Sequence, residues 1–161
     1  MNMNYRNANP DDLAMWLDVA RDVGGIMRVP DMDTNQSFLE YAKRKLEQEN
    51  AIIAYDKEAD ECAGFIGFSI HNNSITWLGV KEKYRNRGVG SELIKSVLSL
   101  LDHNKRITVN TYPQDYLPGR PARSLYSKHG FVETVSVQFA VDGLEMVEFS
   151  IIPQDHSRMK T

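Results

Sequence analysis

The chain carries one cysteine, Cys62, among 161 residues. An internal disulfide is therefore impossible, and a reducing, cytoplasmic setting is expected. No apolar run approaches the ~20 residues that cross a bilayer. The N-terminus lacks the basic-then-apolar order of an export signal, so no membrane partner is expected. Positive charge is not in surplus: 19 Lys and Arg against 22 Asp and Glu leave −3, which argues against nucleic acid as a partner. Repeats, low-complexity tracts and a linker are also missing, and nothing suggests a split into two domains.

What is present is ordinary for a soluble globular protein: 42% hydrophobic and 25% charged residues. The length suits one domain over 1–161, with a core over about 5–152 and a polar tail, 153–161, expected to fray. Residues 5–8 open as a short strand. Asn9-Pro10-Asp11-Asp12 reads as a helix start, with a cap, a proline at the first position and acids at the positive end. Leu13, Trp16, Leu17 and Ala20 then recur at helical spacing, and Gly24-Gly25 ends that helix. A second helix, capped by Thr34 or Ser37, puts Phe38, Tyr41, Ala42 and Leu46 on one side. Strands at 51–55, 62–70 and 75–80 read as an antiparallel meander. A central helix follows, with Leu93, Ile94, Val97, Leu98 and Leu101 inward. The strand at 106–110 comes after that crossover, so it should pair parallel to the third meander strand. A short helix at 122–129 closes on Gly130, and 131–141 and 144–152 form a hairpin through Asp142-Gly143. This order predicts a mixed α/β fold, a largely antiparallel central sheet with flanking helices.

The functional signal concentrates in residues 76–93. The strand Thr76-Trp77-Leu78-Gly79-Val80 runs into a basic turn ending Arg85-Asn86-Arg87-Gly88-Val89-Gly90, and a helix begins at once. Gly88 and Gly90 let the backbone turn sharply and approach a ligand. The first amides of a helix lack internal partners, and its dipole adds partial positive charge there. Such a corner suits phosphate or pyrophosphate. A P-loop would end in Gly-Lys-Ser/Thr, and a dinucleotide fingerprint would need glycine at Leu93, so neither fits.

The order Arg85-x-x-Gly88-x-Gly90, after a strand ending in Val80, resembles the acetyl-CoA-binding segment of the Gcn5-related N-acetyltransferases (GNAT). Ala122-Arg123-Ser124-Leu125-Tyr126-Ser127-Lys128-His129-Gly130-Phe131 is similar to that family's later helix. The resemblance runs over roughly residues 5–152 and implies the GNAT acyl-CoA N-acyltransferase fold, with acetyl-CoA as donor and no metal. It implies that strands 76–80 and 107–111 splay, helped by a bulge near Leu78-Gly79. A pantetheine arm would lie there like an added strand. The implied cofactor contacts are Leu78, Gly79, Val80, Arg85, Asn86, Arg87, Gly88, Val89, Gly90, Ser91, Ala122 and Leu125. An N–H from 78–80 would meet the thioester oxygen, and Tyr126 would serve as general acid.

Two departures from the family pattern stand out. Its usual glutamate on the third meander strand is missing, since residues 74–76 are Ser74, Ile75 and Thr76. A water relay, or His71, His129 or Glu133, would then take the proton, unless the amine arrives neutral. Its usual asparagine seven positions before the tyrosine is Gly119. For the acceptor, Met27, Trp77, Tyr112 and Tyr116 are the candidate walls around a small-molecule or peptide amine, and the −3 charge points to a cationic one. Two activities stay open: an N-acetyltransferase acting on a primary amine in a ternary complex, or a non-catalytic acyl-CoA-binding or sensor domain. The final hairpin is also a surface on which a homodimer could form.

Overall fold

The computed structural model describes residues 1–141 and 143–154. Strands β1 (Met3–Asn7), β2 (Ala51–Asp56), β3 (Glu61–Ser69), β4 (Ser74–Val80), β5 (Ile107–Thr111), β6 (Val132–Val141) and β7 (Leu144–Ile151) form one sheet in the order β1-β2-β3-β4-β5-β7-β6. Every neighbouring pair is antiparallel except β4 and β5. The helices are α1 (Leu13–Val23), α2 (Gln36–Glu47), α3 (Val89–Leu98) and α4 (Arg120–Lys128).

Side chains alternate across a strand, and this divides the core. Ile53 and Phe65 face the cluster built by Trp16, Val19, Phe38 and Leu46 of α1 and α2. Ile52 and Ile66 face the opposite cluster, with Leu93, Ile94 and Val97 of α3 and Tyr126 of α4. Strand β3 is buried on both faces almost throughout, as its near-continuous apolar run requires. Trp16 stacks on Phe65, with ring centroids 4.9 Å apart and planes 5° from parallel.

The start of α1 is tied down by charge. Asn9 accepts from the Asp11 N–H, and the Asp12 carboxylate accepts from the Asn9 N–H at 2.9 Å. Arg6 adds two bonds to the same carboxylate, at 2.8 and 2.9 Å. The Arg6 guanidinium thereby holds the Asp12 carboxyl below its ordinary range. A carboxyl depressed in the folded state stabilises above its unfolded value, near ~4, and that contribution fades as pH falls further. Asp12→Ala should cost about 2 kcal/mol at pH 7 and clearly less at pH 3. Urea unfolding at both values checks this, and equal penalties would contradict it.

Local corrections to the sequence reading have local causes. Helix α2 is capped by Asn35, which accepts from the Phe38 N–H at 3.0 Å. Thr34 instead bonds the Asp31 carbonyl, and Ser37 already lies inside the helix. Helix α4 begins at Arg120, two residues before expectation, because Pro121 needs no donor in a first turn. Val141 pairs with Leu144 and Gly143 adopts φ +79°; Asp142 of that turn lies outside the described residues, as do 155–161 of the tail. Among the described residues, no helix is long and apolar enough to cross a membrane.

The sheet opens between β4 and β5. They pair only at Ser74 with Thr108 and Ile75 with Val109. Beyond that point β4 stays with β3 as far as Val80, and β5 stays with β7 as far as Thr111. The bulge that accompanies this parting is at Thr76, since Gly67 faces Trp77 while Phe68 faces Ile75. It is not at Leu78-Gly79. Gly79 is glycine for another reason: a Cβ there would come within 2.5 Å of the Trp77 indole.

Candidate active site

The parted strands leave a cleft of about 920 Å³. Lys81 donates to the Ala63 carbonyl at 2.9 Å, so by alternation Gly79 and Trp77 also turn their amides to β3. Leu78 and Val80 then turn theirs to the open side. Val80 gives its carbonyl to Arg85 Nε at 3.1 Å, which pins the strand–helix corner. Leu78 lines the cleft, with its N–H and C=O directed into the gap.

Beyond Val80 the chain makes a tight turn, with Asn86 at φ +62° and Gly88 at φ +83°. The turn is anchored by Tyr84, whose hydroxyl lies 2.8 Å from the Asp56 carboxylate and 2.7 Å from that of Glu61. Helix α3 starts with no side-chain cap. Its first amide with a backbone partner is that of Glu92, bonded to the Gly88 carbonyl at 3.0 Å. The amides of Val89, Gly90 and Ser91 therefore form a bare, partially positive end next to Arg85 and Arg87. Gly90 has a packing role, because a Cβ there would stand 2.9 Å from Leu125 Cδ2. Leu125 thus locks α4 against α3.

Tyr126 stands on α4 in the cleft wall, with Ala122 one turn earlier. It is 5% exposed, packs edge-on to Phe131 at 5.6 Å, and its hydroxyl meets no hydrogen-bond partner among the described residues. Burial pushes its phenol well above the ordinary value, and the nearby phenols of Tyr112 and Tyr41 add to the shift. The hydroxyl is therefore protonated at any ordinary pH.

Of the expected acceptor walls, Met27, Trp77 and Tyr112 line the cleft. Tyr116 does not: its hydroxyl donates to the Ile26 carbonyl at 2.7 Å, and its ring backs Tyr112 at 5.3 Å. The missing asparagine has a physical cause, since a Cβ at Gly119 would fall 2.4 Å from the Tyr112 side chain. None of the three candidate bases lines the cleft. His129 Nε2 sits 2.7 Å from Ser91 Oγ, Glu133 accepts from Arg123 at 3.2 Å, and His71 is exposed on the turn after β3. Burial, chiefly, lowers the His129 pKa. Sequence reasoning missed Arg28, Tyr41, Arg44 and Thr76, which do line the cleft. Tyr41 carried a signal, its place on the inner face of α2, but periodicity alone does not separate core from cleft wall. Among the described residues no group of three or more His, Cys, Asp or Glu could hold a metal ion.

A sheet parted at its one parallel pair, with bare helix amides at the mouth of the gap, is the architecture of an acyl-CoA N-acyltransferase. The acetyltransferase (GNAT) domain description matches residues 28–152, and the chain belongs to this acetyltransferase family. Solved structures agree in fold. A GNAT-family acetyltransferase from Bacillus cereus ATCC 10987 shares 18% identity at TM-score 0.72, over 96% of this chain and 99% of that one. The diaminobutyrate acetyltransferase EctA of Paenibacillus lautus, in complex with L-2,4-diaminobutyric acid and coenzyme A, shares 16% at 0.71, over 94% and 95%. The PaiA N-acetyltransferase of Thermoplasma acidophilum, in complex with coenzyme A, shares 20% at 0.63, over 92% and 98%. Among curated proteins no sequence matches.

Proposed function

We propose that the chain works as one domain that moves the acetyl group of acetyl-CoA to a primary amine by direct attack in a ternary complex. One observation carries this: the cleft joins the free backbone of β4 to the Tyr126 hydroxyl, which has no partner among the described residues, with the bare amides of α3 close by. These residues fit the donor. Val89, Gly90 and Ser91 would hold its pyrophosphate with Arg87, and Leu78 would pair with the amide-bearing arm beside Ala122. Acetyl-CoA supplies an acyl group already activated as a thioester.

The chain's own residues do the rest. The Leu78 N–H would donate to the oxygen on which negative charge collects. Tyr126 Oη would pass its proton to the departing sulfur. Among the described residues no carboxylate or imidazole lines the cleft, so the amine enters neutral and water carries its proton away. Direct attack is favoured over an acyl-enzyme by the one cysteine. Cys62 is 2% exposed in the α1–α2 core, and burial pushes its thiol up to about 12. The EctA structure, which holds an amine and coenzyme A together, is in keeping with a ternary complex.

Initial rates of CoA release, with acetyl-CoA and an amine varied together, test the reading. Intersecting reciprocal plots and no acetylated protein are expected. Parallel plots, or an acetylated protein found by mass, would overturn direct attack. Tight acetyl-CoA binding with no release on any amine would leave only a sensor.

A further inference from the structure

We propose that the acceptor is an amine that also bears a carboxylate on an apolar or aromatic body, of the α-amino acid kind. Arg28 reads the anion, with Arg44 at the rim. This rests on the acetyl-transfer reading and names its substrate class.

The argument begins with charge in the cleft. Among the described residues its only charged lining groups are Arg28 and Arg44, with no Asp, Glu, Lys or His. Neither arginine has a carboxylate partner among the described residues, whereas Arg6, Arg21, Arg106, Arg123 and Lys81 each have one. Although the whole chain carries −3, the described lining of the cleft is positive.

Arg28 is also preorganised. Its guanidinium lies 4.8 Å from the Tyr116 ring centroid and 5.6 Å from that of Tyr112. Nη2 donates to the Glu145 carbonyl at 2.8 Å and approaches Met146 Sδ at 3.3 Å. Nε is buried with no acceptor among the described residues. A fixed cation packed against two aromatic rings, with Nη1 free of any acceptor among the described residues, is suited to a planar carboxylate. Its backbone is at φ +62°, a conformation a non-glycine residue adopts only when its surroundings impose it. The remaining walls, among them Phe38, Trp77, Met32 and Leu144, offer an apolar body its contact surface. A polyamine would bring further positive charge to two guanidiniums and find no counter-charge among the described lining residues.

The test compares matched acceptors: L-phenylalanine, L-methionine, L-phenylalaninamide, phenethylamine and spermidine. Binding to the CoA-loaded protein is measured by calorimetry, and CoA release from acetyl-CoA is measured separately. The carboxylates should bind at least tenfold tighter than the amide, the decarboxylated amine and spermidine. Arg28→Met should bring the phenylalanine-to-amide ratio close to one, and Arg44→Gln, at an exposed site, should lower it several-fold. Equal or tighter binding of the amide, phenethylamine or spermidine overturns the proposal, as does a ratio untouched by either variant. If Arg28→Met fails to fold, the matched acceptors on the unaltered chain and Arg44→Gln still decide. Carboxylate-selective binding without CoA release would sink the acetyl-transfer reading alone; CoA release without carboxylate preference would sink this one alone.

Discussion

Tyr126→Phe is expected to lower kcat by about 10²-fold, within the range that a positioned general acid supplies, while CoA binds as before. The substitution removes one hydroxyl that has no partner among the described residues and leaves the ring packed on Phe131. No hydrogen bond is lost, so Tm should move by no more than about 2 °C. A fall in turnover is then a loss of proton donation rather than of fold. The pH profile adds an independent reading. The phenol is raised well above its usual value by burial, so its protonated, donating form persists into alkaline solution. The wild-type rate should climb as the amine loses its proton and should not decline below pH ~10 on account of Tyr126. Stopped-assay rates from pH 6 to 10 check this. Wild-type turnover in the phenylalanine variant would remove Tyr126 from the mechanism.

Gly88→Val should weaken acetyl-CoA binding tenfold or more. Gly88 adopts φ +83°, and a Cβ there would meet nothing within 4 Å. The obstacle is therefore conformational. A β-branched residue at positive φ is strained by about 1–2 kcal/mol. Either the turn keeps its shape and a side chain covers the bare amides, or it relaxes and the amides no longer converge. Gly143→Val is the control, because Gly143 has a similar φ of +79° in the β6–β7 turn. It should cost stability without changing CoA affinity. Calorimetric titration and thermal unfolding of both variants separate the effects. Unchanged affinity at Gly88→Val would move the phosphates away from this corner. A substitution at Gly90 would act differently, through Leu125 and the seating of α4.

Much of this fold is legible in the sequence for plain reasons. The meander follows from three apolar runs with short polar turns, and the parallel β4–β5 pair follows from the helix between them. The corner at Arg85, Gly88 and Gly90 is visible because local backbone chemistry alone defines it. What escaped the reading depends on how side chains and strands pack, which spacing along the chain does not show. Gly79 looks like a bulge but makes room for Trp77, and the bulge sits at Thr76, where the partner strand dictates it. Thr34, Asn35 and Ser37 can all cap a helix, and the turn over Met32–Thr34 decides among them. Tyr112 and Tyr116 share one loop, yet only Tyr112 reaches the cleft. Net charge, a sum over the whole chain, did not reveal that the charged groups among the described lining residues are both arginines.

The parting of the sheet has a mechanical consequence. Among the described residues two rungs, at Ser74 and Ile75, pair the β1–β4 ladder with the β5–β7–β6 ladder; Asn73 adds a side-chain bond to the Arg106 carbonyl at 3.1 Å, and side chains such as Ile66, Val109 and Phe149 span the seam. A guest laid along Leu78 would supply the absent rungs. The same extended molecule that delivers the reacting group would then also complete the hydrogen-bonded fabric of its host.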